Sequence, residues 1–314
     1  MKNLYLAILA ALLASMLLIP LVAVSPQKDS ITPLPQSQKE NKVRLFITET
    51  EKIEKMDIDE YIFGAVAAEM PADYSAEALK SQAVCAYTFY LYRSAQNKDK
   101  DYDITDSPLT DQAYLSTESL KEKWGEDYTA NSEKVAQAVK AVSGMAITYE
   151  GSPILAAYHA ISPGKTSAAA DVWGGDYPYL AAVDSIGDLL CPEYLSTVTV
   201  STEDFKNALK EKVEFSGEPK GWIGEITPDS GSGVKEIKIC GTTVTGSAVR
   251  ELLKLRSTAF DVAYSEEKGF TFTVRGYGHG VGLSQYGANY MALQGSTYIE
   301  ILSWYYKDCQ LKKL

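Results

Sequence analysis

The sequence predicts an α+β fold of mixed helices and mostly antiparallel strands. Segments of helical period and of strand period follow one another without regular β-α-β alternation. Two neighbouring apolar runs near Phe260–Tyr264 and Phe270–Val274 read as the arms of a hairpin. No internal repeat is visible, so the 314 residues make one large domain or two smaller ones. A composition of 46% hydrophobic and 23% charged residues is that of a globular chain with a sizeable core.

The N-terminus stands apart. Leu4 to Val24 is an almost unbroken apolar run of 21 residues behind Lys2, long enough to cross a bilayer. It is longer than the apolar core of a usual signal peptide, and no A-x-A site follows it. Residues 1–24 therefore read as an uncleaved single-pass transmembrane anchor, with a removed leader as the alternative. Both place the remainder outside the cytoplasm. Lys2 favours a cytoplasmic N-terminus. Residues 25–42 carry Pro26, Pro33 and Pro35 among Ser, Gln, Lys and Asp, the composition of an extended linker. The expected location is the cell membrane, with residues 43–314 as an extracytoplasmic domain.

Val43, Leu45 and Ile47 alternate with polar residues and open that domain as a strand. Asp57 to Pro71 follows as a helix. Asp57 and Glu60 have capping-box spacing, and Ile58, Ile62 and Ala65 share a face flanked by Tyr61 and Val66. Ser75 is placed to cap a second helix, Ala76 to about Ser94, with Leu79, Ala83, Ala86, Tyr90 and Leu91 inward. The short link predicts that the two pack as a helical hairpin. A polar, turn-rich stretch from Lys100 ends in D-Q-A-Y at Tyr114. Asn131 to Ser143 reads as a helix with Val135, Ala138, Val139 and Val142 on one face. Strands at Ala146 to Tyr149 and Pro153 to Ile161 flank the turn Glu150-Gly151-Ser152. Beyond the glycine- and aromatic-rich stretch Asp171 to Leu180, a smaller set of elements follows. It comprises a strand at Val198 and Val200, a helix capped by Thr202, a strand from Val234 to Ile239, a helix around Val249 to Leu255, and the hairpin. The last helices are Ser284 to Leu293, ended by Gly295, and Thr297 to Tyr306.

One carboxylate stands out in this order. Glu69 is eleven positions, or three turns, after Ile58, and so projects along the apolar face. Pro71 disfavours helical geometry at Met70, which places Glu69 in the last turn. Burial and the negative helix end both raise the pKa of a carboxylate there. An acid kept protonated near neutral pH suits general acid catalysis. The plainer use of a terminal Glu is a solvated helix end.

A net charge of −11 with no basic cluster argues against nucleic acid as a partner. Gly276, Gly278, Gly280 and Gly282 alternate before Ser284, but residue 283 is Leu, so no dinucleotide fingerprint is completed, and no P-loop occurs. With two histidines and neither C-x-x-C nor H-E-x-x-H, no metal and no cofactor are expected. His159, in an apolar strand, serves either a core hydrogen bond or a site, and His279, between glycines, faces whatever approaches its loop. Ser284 after His279 leaves a nucleophile conceivable, although capping its helix is the commoner use. Of the four cysteines, Cys85 reads as a buried thiol, and Cys191 with Cys240 is a conceivable pair that spacing does not decide. The 21 tyrosines serve as core residues or as platforms for the apolar faces of sugars.

An ordered set of motifs runs through the domain: A-A-E-M-P at Ala67–Pro71, A-L-K-S-Q-A-V at Ala78–Val84, D-Q-A-Y at Asp111–Tyr114, A-Y-H at Ala157–His159, G-K-T at Gly164–Thr166, L-R-S-T at Leu255–Thr258 and G-H-G-V-G-L-S-Q-Y-G-A at Gly278–Ala288. Together they resemble the stage II sporulation protein D family, lytic transglycosylases of the spore-former cell wall. The resemblance runs from about Val43 to Leu314, and the anchor and linker match the family plan. It implies that Glu69 is the catalytic acid/base and that Gln82, Tyr87, Gln112, Tyr114, Tyr158, Lys165, Thr166, His279, Ser284 and Gln285 bind substrate. The chain departs from the family pattern in three places. Tyr87 stands where Arg is frequent after the Q-A-V segment, and Asp103 to Asp111 lacks the Cys and His that hold zinc in some clostridial members. Pro163 replaces a common Gly and stiffens the turn before G-K-T.

The resemblance implies cleavage between N-acetylmuramic acid and N-acetylglucosamine in glycan stripped of stem peptides, during engulfment in endospore formation. The site would lie between the mother-cell and forespore membranes. Most glycosidases need two carboxylates. The motifs here offer one, which suffices if the 6-hydroxyl of the muramoyl ring is the nucleophile and closes a 1,6-anhydro product. The implied partners are peptidoglycan glycan strands and the stage II sporulation proteins P and M. Two other functions share the motif set. One is a non-catalytic amidase enhancer that recruits or activates a partner amidase, and the other is a wall-glycan binding module. The place of Glu69 on an apolar helix face favours the enzyme.

Overall fold

The computed structural model describes residues 42–314. The expected anchor, residues 1–24, and the linker up to residue 41 lie outside the described residues. Among those described, no helix is long and apolar enough to cross a membrane. Helices and mostly antiparallel sheets are mixed along the chain, as the sequence predicts.

Strand β1 (Lys42–Ile47) pairs antiparallel with β2 (Lys52–Asp57), Val43 opposite Met56. Val43 and Leu45 are fully buried, which accounts for the alternation. In contrast, β2 exposes all but Met56, so no apolar pattern announced it. Helix α1 (Ile58–Glu69) follows directly. The expected capping box does not form: Asp57 makes no side-chain cap bond. Asp57 is the cross-strand partner of Lys42, whose ammonium holds the carboxylate at 2.9 Å.

Helix α2 (Ala76–Gln96) packs on α1 as the expected hairpin. Leu79, Ala83 and Ala86 are buried, but so are Ser81, Gln82 and Cys85, because the helix is enclosed on most sides. The Ser75 side chain does not cap it; the Ser75 amide instead donates to Asn289 Oδ1 at 2.8 Å. Strand β3 (Ile104–Thr105) joins β1 in parallel. Helix α3 (Thr117–Trp124), capped by Ser116, buries Leu120 alone and was too polar for periodicity to reveal. Helix α4 (Tyr128–Ala141) buries Val135, Ala138 and Val139 on the expected face.

Strand β4 (Met145–Tyr149) turns back into β5 (Ser152–Pro153). The single strand expected from Pro153 to Ile161 is divided. The Ala157 amide donates to the Leu155 carbonyl at 2.8 Å, a three-residue turn that redirects the chain. Strand β6 (Tyr158–His159) resumes extended pairing in a different sheet, and Ile161 exchanges backbone hydrogen bonds with Tyr277. A short helix, α5 (Ala169–Val172), and a 3-10 turn at Ile186–Leu190 follow.

The next eight elements enclose a second apolar core. They are β7 (Leu195–Val200), α6 (Thr202–Leu209), β8 (Ile223–Pro228), β9 (Val234–Ile239), β10 (Thr242–Thr245), α7 (Gly246–Leu252), β11 (Phe260–Ser265) and β12 (Gly269–Arg275). Two antiparallel sheets, ordered β11-β12-β7 and β10-β9-β8, bury Phe205, Ile237, Val249, Phe270 and Phe272. The Phe205 and Phe270 rings stack at 4.1 Å. The Ser201 hydroxyl, one residue before the expected Thr202, caps α6. Helix α7 stops short of Leu255, and just beyond it Lys254 takes a left-handed φ of 54°.

The chain then returns to the first core. Strand β13 (Leu283–Ser284) lies parallel to β6, with Leu283 opposite Tyr158. Helix α8 (Gln285–Leu293), helix α9 (Tyr298–Tyr305) with its Thr297–Glu300 capping box, and β14 (Gln310–Lys313) beside β4 complete that core. The second core is thus an insertion between two stretches that fold together. All four cysteines are free thiols; Cys240 faces the Ser216 carbonyl and not Cys191. Cys85 is buried beside the Tyr306 hydroxyl.

The parallel pairing of β6 and β13 depends on Gly282, which has φ 73° and whose added Cβ would lie 2.0 Å from the Ala157 carbonyl oxygen. Gly280 has a similar φ of 79°, but its added Cβ would meet Ser167 Oγ at 3.3 Å. We therefore expect Gly282→Ala to destabilise by more than about 3 kcal/mol and Gly280→Ala by about 1–2 kcal/mol. Denaturant unfolding of both variants checks this, and equal losses would show that the backbone contact is not limiting.

Candidate active site

A cavity of about 850 Å³ opens where the end of α1, strand β6 and the glycine loop before β13 converge. Glu69 reaches it because α1 stops there. Met70, ahead of Pro71, is extended with φ −121° and ψ 137°. Lys123 from α3 donates to the exposed helix-end carbonyls of Ala67 at 2.9 Å and Ala68 at 3.5 Å, replacing a basic residue that the last turn of α1 lacks.

The Glu69 carboxyl accepts the Ala113 amide at 3.0 Å. Burial raises its pKa above the ordinary carboxylate range; the Ala113 amide, the Tyr158 hydroxyl and the Lys123 charge oppose this and lose. Behind Glu69 runs a polar chain. The Tyr158 hydroxyl donates to Gln112 Oε1 at 3.2 Å and lies near enough to Glu69 to act on its carboxyl. The Gln112 amide donates to the Tyr61 hydroxyl at 2.7 Å and the Ala86 carbonyl at 3.3 Å, which fixes its oxygen toward Tyr158.

The two histidines form the opposite wall, with ring centroids 5.7 Å apart. His159 is bonded through Nδ1 to the Val281 carbonyl at 3.1 Å. His279 accepts the Val281 amide at Nδ1 and lies against the Trp173 ring at 4.9 Å. Burial pushes the His159 pKa down to about 4, and burial with the neighbouring His159 and Arg250 pushes His279 down to about 3. Both rings are neutral at physiological pH. Trp173 and Tyr277 expose 46% and 48% of their surfaces at the rim, and Arg256 stacks over Tyr277 at 4.5 Å. Such faces suit the apolar sides of sugar rings.

The expected site residues divide by location. Glu69, Tyr158, His279 and Gln285 line the cavity. Gln112 and Gln82 lie one layer behind, the latter accepting from Gln285 at 3.3 Å. Tyr114 stacks on Tyr61 at 5.8 Å, away from the cavity wall. Tyr87 borders a separate small recess beside Asp59 and Val142. Lys165 is exposed and forms an isolated bridge with Asp184, while Thr166 is fully buried and accepts the Val183 amide at 2.9 Å. Ser284 is fully buried. It caps α8 through the Gly287 amide and donates to Asp188 Oδ1 at 2.7 Å, an arrangement that does not serve a nucleophile.

Sequence reasoning did not single out Arg93, Asp111, Lys123, Asp188 or Arg250. Asp111 lay inside the D-Q-A-Y motif. In the structure its carboxylate, with a side chain 1% exposed, is gripped by Arg93 and by the Thr105 amide at 2.9 Å. Asp188 ties Ser162 to Ser284 and so holds two loops together. Among the described residues no group of three His, Cys, Asp or Glu side chains is arranged to hold a metal ion.

Comparison with known proteins gives a consistent result. The family model for SpoIID, the stage II sporulation protein, matches residues 47–149. The chain is 36% identical over 276 residues to stage II sporulation protein D of Bacillus amyloliquefaciens, covering 86% of this chain and 78% of that one. It is 32% identical over 329 residues to stage II sporulation protein D of Bacillus subtilis (strain 168), covering 97% of this chain and 94% of that one. The amidase enhancer of Bacillus subtilis (strain 168) is 28% identical over 302 residues, which cover 79% of this chain and 40% of the enhancer. Identity on this scale extends over most of both chains: the chain belongs to the stage II sporulation protein D family.

Proposed function

We propose that this protein is a peptidoglycan lytic transglycosylase. It cuts the bond between N-acetylmuramic acid and N-acetylglucosamine in denuded glycan and leaves 1,6-anhydro ends. We place it in engulfment during endospore formation, at the membrane, beside the stage II sporulation proteins P and M. The observation that carries the chemistry is the pair of carboxylates lining the cavity. Asp111 is held by Arg93 and a backbone amide, while Glu69 makes no salt bridge among the described residues and has a raised pKa. One available acid is what an intramolecular closure needs.

In the proposed reaction the protonated Glu69 carboxyl gives its proton to the glycosidic oxygen as the bond to the muramoyl C1 breaks. The carboxylate left behind takes the proton of the 6-hydroxyl while that oxygen closes on C1. Proton and charge return to their starting places, and no water is consumed. Tyr158 supports the cycle. Its hydroxyl donates to Gln112 and sits beside Glu69, so it can keep that bond while Glu69 is protonated and turn to Glu69 once the carboxyl is ionised. The relationship to an amidase enhancer supports a second function, activation of a partner amidase without cleavage.

Full-length protein incubated with denuded glycan strands should release anhydromuramoyl-ended fragments by mass spectrometry. Glu69→Gln should lower that release on the order of a thousandfold without loss of fold. Reducing-end sugars as the main product would replace the transglycosylase with a hydrolase, and no product with full stimulation of an amidase would support the enhancer.

Stability should depend on pH in a defined direction. The pKa of Glu69 is higher folded than unfolded, so its stabilising contribution is complete below the ordinary carboxylate range and is lost as pH rises through the raised value. Asp188 shares this sign and remains in both proteins, so the difference between wild type and Glu69→Gln isolates Glu69. The Gln variant should be the more stable one at neutral pH and lose that advantage in acid. Parallel denaturant curves across pH would show that Glu69 is not buried at a cost.

A further inference from the structure

Two cations line the cavity. Arg93 is occupied by Asp111 and by Gln96 Oε1 at 2.8 Å. The guanidinium of Arg250, on helix α7 of the inserted core, is half-buried and has no hydrogen bond or ion pair among the described residues. Burial lowers its pKa, with Tyr277 and Glu251 acting the other way, but an arginine stays charged in a protein. Arg250 lines the same cavity as His159 and His279. Leaving five donors partly desolvated and unpaired is costly, and a planar anion removes that cost through two parallel hydrogen bonds.

The charges in the cavity point the same way. Arg93 cancels Asp111, Glu69 is held toward its neutral form, and both histidines are uncharged. Arg250 is left as a cation with no paired anion at the cavity, in a chain of net charge −11. Neutral N-acetyl sugars do not explain such a group. N-acetylmuramic acid carries one anion, the carboxylate of its lactyl ether, and only when no stem peptide is attached. With the peptide in place that carboxylate is an amide, uncharged and bulky. We infer that Arg250 binds the lactyl carboxylate of N-acetylmuramic acid, and that this contact selects denuded glycan. The inference rests on the glycan-cleaving function proposed for the cavity and names the group that sets its substrate class.

Binding is the test, made with the full-length Glu69→Gln protein so that cleavage plays no part. One probe is denuded glycan with free lactyl carboxylates; the other is the same glycan with those carboxylates converted to methylamides. The free-carboxylate strands should bind roughly ten- to hundredfold more tightly, the range for one charge-assisted contact. Adding Arg250→Gln should remove that difference while leaving methylamide binding unchanged. Arg250→Lys, which keeps the charge without the planar fork, should restore part of it. Equal affinity of the two strands for the Glu69→Gln protein overturns the inference, as does an Arg250→Gln effect of the same size on both. That first comparison needs no Arg250 variant, so a folding defect at position 250 leaves the test intact. Carboxylate-dependent binding without anhydro products from wild type would retain Arg250 and discard the transglycosylase. Anhydro products without charge-dependent binding would do the reverse.

Discussion

The Ala157 carbonyl oxygen occupies the space where a side chain at position 282 would stand, and the site depends on that close approach. Two chain segments more than a hundred residues apart meet there as a parallel pair. Tyr158 and His159 come from one side, and His279, Ser284 and Gln285 from the other. Gly278 presses on His159 in the same way, its added Cβ falling 2.7 Å from the histidine Cβ. The glycines therefore make room first for the protein's own backbone. The cavity is a consequence of that contact, because it places the histidine wall opposite the end of α1.

Around this junction, polar groups are buried in connected sets. Asp188 receives the Ser162 amide and hydroxyl and the Ser284 hydroxyl, so a carboxylate with a raised pKa holds the loops on either side of the strand pair. Tyr61, Gln112 and Tyr158 form the second set, beside Glu69. Each member satisfies another, which is the condition for burying such groups without large loss. In the proposed reaction such connected neighbours would have a use. A carboxyl that must give and regain a proton benefits from neighbours that reorient a hydroxyl and do not move.

The inserted core contributes side chains to the site. It supplies Arg250 and, through the Arg256 stack, holds Tyr277. It is also fastened to the first core by polar contacts: Ser167 and Ala168 bond Asp229 and Ser230, and Asp171 pairs with Lys235. A ligand in the cavity would thus touch both cores.

Local physics in the chain determined much of this. The alternation of Val43 and Leu45, the stripe on α4, the hairpin of β11 and β12, and the stop imposed on α1 by Pro71 follow from near neighbours in sequence. So does the position of Glu69 on an apolar face, and the motif order was enough to mark its family. Tertiary structure decided the rest. The strand expected across Pro153 to Ile161 broke because its two ends found partners in different sheets, a choice made by β4 and β13 and not by its own pattern. Asp57 and Ser75 lost their capping roles to Lys42 and Asn289, each brought close by folding. Thr166 and Ser284 carry motif residues but are buried, whereas Trp173 and Arg250 line the cavity from segments whose spacing to Glu69 has no meaning in one dimension. Periodicity records which face of an element is apolar; which charges meet across a cavity depends on contacts between distant segments, and these no local pattern contains.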